Sequence, residues 1–95
     1  MTANLSGRLL AVVNALPLRD SMRILEIGCG PGAMAREMVR RIGGGRVLAI
    51  DRSATAIAQA AHLSAEEIAS GRLGLRCIAA EDFELEPDEA PYDLA

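Results

Sequence analysis

Residues 25–32 of this 95-residue chain read LEIGCGPG, a short apolar run that passes into glycines at alternate positions. The apolar run predicts a strand buried on both faces of a parallel sheet. After the glycines, the helical spacing of Met34, Met38 and Ile42 predicts a helix. Glycines suit a turn of this kind because the chain reverses sharply and brings its backbone N–H groups against a ligand, which a Cβ would obstruct. The stretch therefore predicts a ligand-binding turn between a strand and a helix.

Strands and helices alternate on both sides of this turn. A helix is predicted from about residue 4 to 15, strands at 22–27, 46–51 and 73–79, a helical region at 53–70, an acidic loop at 81–93 and the opening of a fourth strand at 92–95. Ser64 and Glu67 form a capping-box pattern, so the helical region is either one bent helix or two short ones. This alternation predicts an α/β fold with a right-handed, doubly wound parallel sheet, in one partial domain covering residues 1–95.

The second helix is predicted to be amphipathic. Met34, Met38 and Ile42 form its apolar stripe, and the charged residues Arg36, Glu37, Arg40 and Arg41 are assigned to its exposed face. Glu37 precedes Arg41 at the favourable i, i+4 spacing.

Composition excludes several classes of function. Residues 1–52 hold eight Arg against four acids, residues 66–95 hold two Arg against nine acids, and the chain has no Lys. The net charge of −3 argues against a nucleic-acid partner, because duplex binding needs clustered cations. Two cysteines without Cys/His ligand spacing predict no metal site and a reducing compartment. Without a signal peptide or an apolar run long enough to span a membrane, we expect a cytoplasmic protein with no membrane partner.

Two kinds of cofactor fit the glycine turn. Gly28, Gly30 and Ala33 satisfy the dinucleotide pattern G-x-G-x-x-G/A, and Asp51 follows at the distance where an acid would hold a ribose hydroxyl. A pyrophosphate, however, needs N–H donors at the helix N-terminus. Pro31 removes one such donor, and Glu26 places an anion on the strand that leads into the turn. Both features favour a phosphate-free, partly cationic ligand over NAD.

The residues Glu26, Gly28, Gly30 and Gly32 read E-x-G-x-G-x-G, which resembles motif I of class I S-adenosylmethionine-dependent methyltransferases. The resemblance extends to RVLAIDRS at 46–53, AAEDF at 79–83 and PYDLA at 91–95. It implies a Rossmann-like sheet that in the family has seven strands, of which this chain would supply three and the start of a fourth. We therefore expect a domain truncated relative to the family fold, with the cofactor-binding half present and the acceptor-binding half absent.

The resemblance implies methyl transfer from S-adenosylmethionine to an unidentified acceptor. It assigns these residues to cofactor binding: Glu26, Gly28, Cys29, Gly30, Gly32, Asp51, Arg52, Ala80 and Glu81. The turn backbone would lie against the methionine part of the cofactor, with Glu26 near its amino end or bracing the loop. Asp51 would accept hydrogen bonds from the ribose hydroxyls. No catalytic residue is predicted, because the family places its acceptor-binding groups at and after the fourth strand.

Three residues are implied at the adenine ring. The Arg52 stem would lie over its face, and the Ala80 backbone and Glu81 side chain would meet its edge. Many family members have an acid one position before Ala80, where this chain has Ala79, so Asp82 is an alternative to Glu81 for this contact.

Three hypotheses of different classes follow. The first is the cofactor-binding portion of a methyltransferase, inactive as an isolated 95-residue chain. The second is an NAD(P)-binding fragment of an oxidoreductase, and the third is a non-catalytic oligomeric module. If the 95 residues are the whole molecule, a free edge on the first strand would expose apolar faces and unpaired backbone groups, so we expect a homo-oligomer that forms through this edge.

Overall fold

The computed structural model of the chain describes residues 5–85 and 89–95, and these residues contain four helices, three strands and one 3₁₀ turn. The elements are α1 Gly7–Ala15, β1 Arg23–Ile27, α2 Ala33–Arg41, β2 Arg46–Asp51, α3 Ala54–Leu63, α4 Ala65–Ala69, β3 Leu73–Cys77 and the turn Ala80–Asp82. This order confirms the predicted α/β class. Within the described ranges, no helix is long and apolar enough to cross a membrane.

The three strands form a parallel sheet in the order β1-β2-β3. Arg23 is the partner of Arg46 at one end of the β1–β2 pair, and Ile27 is the partner of Ile50 near the other end. Since all strands run in one direction, their carboxyl ends meet at one edge of the sheet. The fold therefore brings the glycine turn after β1 beside the segments that follow β2 and β3, which is where open α/β sheets bind ligands.

The hydrophobic core lies between α2 and one face of the sheet. Its strand residues are Ile24, Val47, Ala49 and Leu73, and its α2 residues are Ala35, Met38 and Val39, followed by Ile42. Ile24, Val47, Ala49 and Ile42 are all at most 1% exposed. Burial of each large aliphatic side chain contributes roughly 1.5–3 kcal/mol, so this packing fixes the position of α2 and of the turn that leads into it.

Residues 89–95 return to the outer side of β1. Leu94 forms a parallel bridge with Ile24, and its carbonyl oxygen accepts the Leu25 N–H at 2.9 Å. Asp93 accepts the Arg23 N–H at 2.8 Å, and the Arg23 guanidinium lies 4.8 Å from the centre of the Tyr92 ring. The predicted opening of a fourth strand is thus confirmed beside β1, as a single bridge.

Three predicted element boundaries differ from the structure, and the smallest difference is at β1, which begins at Arg23 instead of residue 22. The first helix begins at Gly7, because Ser6 is its N-cap and accepts the Leu9 N–H at 3.2 Å; the predicted start near residue 4 lies outside the described residues. The third strand ends at Cys77 instead of residue 79, because the chain leaves the sheet for the 3₁₀ turn, in which Asp82 donates to the Ala79 carbonyl at 3.0 Å. The predicted acidic loop therefore begins as this turn, and its residues 86–88 lie outside the described ranges.

The helical region is two helices, and the predicted capping box between them is not formed. Ser64 ends α3 with φ −115° and ψ 26°, and its side chain caps neither helix. Its hydroxyl instead accepts a hydrogen bond from Arg36 at 2.8 Å. A contact from a distant helix has therefore replaced the local cap that the sequence pattern predicted.

Of the predictions about charged residues on α2, one is confirmed and another is wrong. The Arg41 Nε donates to the Glu37 carboxylate at 2.8 Å, as the i, i+4 spacing predicted. Arg36, however, is 7% exposed and does not belong to the solvent face. It lies at the edge of the buried stripe, which Ala35 and Val39 widen in its direction.

Candidate functional site

The three alternate glycines of the turn all have left-handed backbone angles. Their φ values are 74° at Gly28, 54° at Gly30 and 88° at Gly32, a region that other residues rarely adopt. A Cβ on Gly28 or Gly30 would have no neighbour within 4 Å, whereas one on Gly32 would lie 3.1 Å from Arg36 and 3.3 Å from the Ala60 Cβ. Gly28 and Gly30 thus border open space that a ligand can fill, and Gly32 packs against the protein interior.

The backbone N–H groups of the turn are used within the protein. Gly28 and Cys29 both donate to the Ile50 carbonyl, at 2.9 and 3.0 Å. Gly30 donates to the Asp51 carboxylate at 2.9 Å, and Gly32 donates to the Cys29 carbonyl at 3.0 Å. Since residue 31 is proline, every N–H from 28 to 32 is accounted for. The expectation that these groups point at a ligand is wrong, because β2 and the loop itself take them.

Asp51 ends β2 and faces the turn. One carboxylate oxygen accepts the Gly30 N–H, and the other accepts the Ser53 N–H at 2.8 Å. The Ser53 and Gly30 N–H groups hold the pKa of the Asp51 carboxyl below its usual range, so the group is ionised at neutral pH. A carboxylate has about four acceptor positions, and Asp51 can therefore still accept hydrogen bonds from two ligand hydroxyls.

Glu26 lies on β1, directly before the turn. Burial raises the pKa of its carboxyl from 4.5 to about 7. Its Oε1 atom is buried and has no hydrogen-bond partner among the described residues. An unpaired buried oxygen is costly, and a cationic donor would both pair with it and restore its charge. The geometry at Glu26 therefore fits a positively charged group of a ligand.

Cys29 occupies the interior side of the turn and is 8% exposed. Burial, followed by the nearby charges of Glu26 and Asp51, raises the pKa of its thiol to about 11. The thiol is therefore neutral and a poor nucleophile. Its closest polar contact is the Gly30 carbonyl at 3.5 Å, so its side chain fills space beneath the backbone of the turn.

Two open clefts adjoin at Gly28. The first, with a volume of about 280 Å³, is lined by Ile27, Gly28, Ile50, Asp51, Arg52, Ile78, Ala79, Ala80 and Glu81. The second contains Glu26 and is otherwise mainly apolar, with α1 residues Val12 and Leu16 and α2 residues Met34 and Met38 in its wall. In the described parts of the chain, no three His, Cys, Asp or Glu residues are grouped to hold a metal ion.

The predicted site residues divide between these clefts. Gly28, Asp51, Arg52, Ala80 and Glu81 share the first cleft, and Glu26 lines the second, which also includes Gly28. Cys29 lies beneath the turn, Gly30 is bonded to Asp51, and Gly32 packs against helices. The arrangement separates a carboxylate suited to hydroxyl groups from a carboxylate suited to a cation, with the glycine backbone between them.

Comparison with known proteins identifies the family. The profile of the methyltransferase domain matches residues 24–95. The chain belongs to the methyltransferase domain family. It is also 38% identical over 86 residues to a trans-aconitate 2-methyltransferase of Streptomyces avermitilis, a match that covers 90% of this chain and 30% of the relative.

Solved structures agree with this family. A SAM-dependent methyltransferase of Geobacter sulfurreducens in complex with S-adenosyl-L-homocysteine has a TM-score of 0.70 at 26% identity, over 94% of this chain and 35% of that one. A SAM-dependent O-methyltransferase of Thermotoga maritima has the same fold, with a TM-score of 0.74 at 22% identity, over 99% of this chain and 35% of that one. This methyltransferase-family chain thus spans about a third of the length of these relatives.

Sequence reasoning missed Arg36, the buried cation under the turn of this methyltransferase-family chain. Its guanidinium Nη1 donates to the Pro31 carbonyl and to the Ser64 hydroxyl, both at 2.8 Å. The apolar residues Ala35 and Val39 could have indicated that Arg36 is buried, because they extend the buried stripe of α2 toward it. The pattern of Met34, Met38 and Ile42 alone did not reveal it.

Proposed function

We propose that this chain binds S-adenosylmethionine across the two clefts and corresponds to the cofactor-binding part of a methyltransferase. Family membership over residues 24–95 supports the activity, and a structural neighbour that holds S-adenosylhomocysteine supports the cofactor. The site chemistry agrees: an acceptor for a cation, a glycine backbone bordering open space, and an acceptor for hydroxyl groups follow one another along the carboxyl edge of the sheet.

The observation that carries this proposal is the buried Oε1 of Glu26, which has no hydrogen-bond partner among the described residues. The methionine part of the cofactor ends in an ammonium group, which would pair with this oxygen. A dinucleotide would instead present a pyrophosphate, which needs N–H donors and is repelled by a carboxylate. All N–H groups from 28 to 32 are already bonded within the protein, so the turn favours the phosphate-free ligand.

We assign the remaining predicted residues as follows. The backbone of Gly28, Cys29 and Gly30 would lie against the methionine part, and Asp51 would accept the ribose hydroxyls. Arg52, Ala80 and Glu81 share the first cleft with Asp51 and would surround the adenine ring. Gly32 would act indirectly, by allowing the close packing that shapes the turn.

When bound, S-adenosylmethionine supplies an electrophilic methyl group on a sulfonium ion. Transfer of that methyl group to an acceptor atom would break the carbon–sulfur bond and leave its electron pair on sulfur. The residues of this chain would bind and orient the cofactor, and would thus contribute to catalysis by positioning it. Because a relative acts on trans-aconitate, we propose a carboxylate oxygen as the acceptor atom, with trans-aconitate as the first compound to assay.

Calorimetric titration of the 95-residue chain with S-adenosylhomocysteine, repeated with NAD, tests the proposal. We expect saturable binding of S-adenosylhomocysteine alone. Glu26→Gln should weaken binding. Glu66→Gln, on the exposed side of α4, is the matched control and should not. Binding of NAD alone would support the oxidoreductase hypothesis, and binding of neither would support a non-catalytic module.

We also propose a cytoplasmic homo-oligomer. Both cysteines are free, as a reducing compartment would keep them. Leu94 covers β1 at Ile24 and Leu25, while Ile27 at the end of the strand has 54% of its surface exposed. A second copy would pair with this end of β1. Light scattering should give a molar mass at least twice the chain mass of 10.0 kDa, and a monodisperse monomer would refute the proposed oligomer.

A further inference from the structure

Arg36 is a buried cation placed directly beneath the glycine turn. Its side chain extends from the first turn of α2, and the residue is 7% exposed. Within the described ranges, no carboxylate forms an ion pair with it, and its guanidinium Nη1 donates to the Pro31 carbonyl and to the Ser64 hydroxyl, each at 2.8 Å. A buried charge held only by neutral oxygens is costly, so these hydrogen bonds are better explained by the backbone that they hold in place than by a gain in stability.

The two partners of Arg36 connect the turn to a distant part of the chain. Pro31 lies within the turn and has no N–H of its own to anchor it, so its carbonyl is the backbone group through which it can be held. Ser64 stands between α3 and α4, in the helical unit that follows β2. Ser64 is fully buried, which gives the guanidinium a fixed second contact point.

The turn is therefore held from two sides. Asp51, at the end of β2, accepts the Gly30 N–H on one side, and Arg36 donates to the neighbouring Pro31 carbonyl on the other. The guanidinium also fills the space where a side chain on Gly32 would lie, 3.1 Å from the position of such a Cβ. These contacts fix the path of the backbone between Gly28 and Gly32, in which Gly28 and Gly30 border open space.

We propose that Arg36, fixed by Ser64, is a positioning residue that sets the shape of the cofactor-binding turn. This inference rests on the proposed binding of S-adenosylmethionine. Arg36 itself need not touch the cofactor: it holds the Pro31 carbonyl, and through it the spacing between the turn and Asp51. Loss of Arg36 would leave Glu26 and Asp51 in place and would let the backbone between them move.

Three variants test this role against a matched control. Arg36→Met removes both hydrogen bonds, Ser64→Ala removes one partner, and Arg36→Lys keeps the charge but replaces the rigid, planar guanidinium with an ammonium on a flexible stem. The control is Arg72→Ala. Arg72 also donates to backbone carbonyls, at Val39 in α2 and at Gly45 in the loop before β2, and these hydrogen bonds do not involve the glycine turn. This control measures how much binding changes when another arginine loses its hydrogen bonds to backbone carbonyls.

The readout is the dissociation constant of S-adenosylhomocysteine by calorimetry, measured well below the melting temperature of each variant. We expect Arg36→Met to weaken binding by about tenfold or more, the loss typical of a charged hydrogen bond, and Ser64→Ala to weaken it less. Arg36→Lys should recover part of the loss. Arg72→Ala should lower the melting temperature and leave the dissociation constant unchanged.

Equal dissociation constants for the Arg36 variants and Arg72→Ala would overturn the positioning role. If Arg36→Met does not fold, Arg36→Lys and Ser64→Ala decide the question by the same comparison. The wild-type titration separates this inference from the proposed function: a wild-type chain that does not bind S-adenosylhomocysteine contradicts the function itself, whereas wild-type binding with unaffected variants contradicts only the role of Arg36.

Discussion

Glu26 gives the folded chain an unfavourable free-energy contribution that its substitution should remove. Burial raises the pKa of the carboxyl from 4.5 to about 7, and each tenfold change in proton affinity corresponds to about 1.4 kcal/mol. Once the pH is above 7, the folded state therefore holds a buried carboxylate at a cost of about 3 kcal/mol relative to the unfolded chain. Glu26→Gln has nearly the same shape and cannot ionise, so it should avoid this cost.

The direction of the pH dependence follows from proton binding. Between pH 4.5 and about 7, the unfolded chain releases the Glu26 proton while the folded chain retains it. The unfolded state then binds fewer protons, so the free energy of unfolding of the wild type falls as the pH rises through this window. The difference in stability between Glu26→Gln and the wild type should therefore grow by about 3 kcal/mol from pH 4.5 to pH 8.5.

Urea denaturation of both proteins across this pH range measures the difference directly. Glu66→Gln should follow the wild-type curve, because Glu66 is exposed. The same Glu26→Gln variant should bind S-adenosylhomocysteine about tenfold more weakly, since a charge-assisted hydrogen bond is lost. A stability difference that stays constant from pH 4.5 to 8.5 would show that Glu26 is not desolvated, and would refute the reasoning.

Three further substitutions test other parts of the structure. In calorimetry, Asp51→Asn should weaken binding of S-adenosylhomocysteine by about tenfold. The reason is that an amide, unlike a carboxylate, cannot accept the Gly30 N–H and both ribose hydroxyls. Unchanged affinity would make Asp51 purely structural. Gly32→Ala should lower the free energy of unfolding by about 1–2 kcal/mol, because φ is 88° and the new Cβ would meet Arg36 at 3.1 Å; an unchanged urea midpoint would contradict this. Arg72→Ala should lower the free energy of unfolding by about 1–3 kcal/mol, because the Val39 and Gly45 carbonyls lose this donor, and a melting temperature equal to wild type would exclude that role.

Local patterns were sufficient to predict the part of the fold that forms the site. The apolar run before Gly28 predicted β1, and the stripe of Met34, Met38 and Ile42 predicted α2, because both depend on residues close together in sequence. Asp51 was predicted at the end of β2 for the same reason. Parallel strands bring their carboxyl ends together, so the shared cleft of Gly28, Asp51 and Ala80 followed from the strand order.

Features that depend on distant contacts could not be predicted from the sequence. The Ser64 hydroxyl had a local use as a helix cap, and it was taken instead by Arg36, which is 28 residues away. The N–H groups of the turn were expected to face a ligand, but the register between β1 and β2 places the Ile50 carbonyl within reach of two of them. In each case, a partner that is distant in sequence took the hydrogen bond that the local pattern had assigned to another group.

The most direct test of cofactor binding at this turn is a nitrogen-15 NMR titration of the chain with S-adenosylhomocysteine. The amide signals of Gly28, Gly30, Asp51 and Ala80 should shift together and saturate at one ligand per chain, because these residues border or line the first cleft and its turn. Signals from Arg72 and Leu73, at the opposite end of the sheet, should stay in place. Saturating shifts confined to other parts of the chain, or no shifts at millimolar ligand, would contradict the assignment of this site.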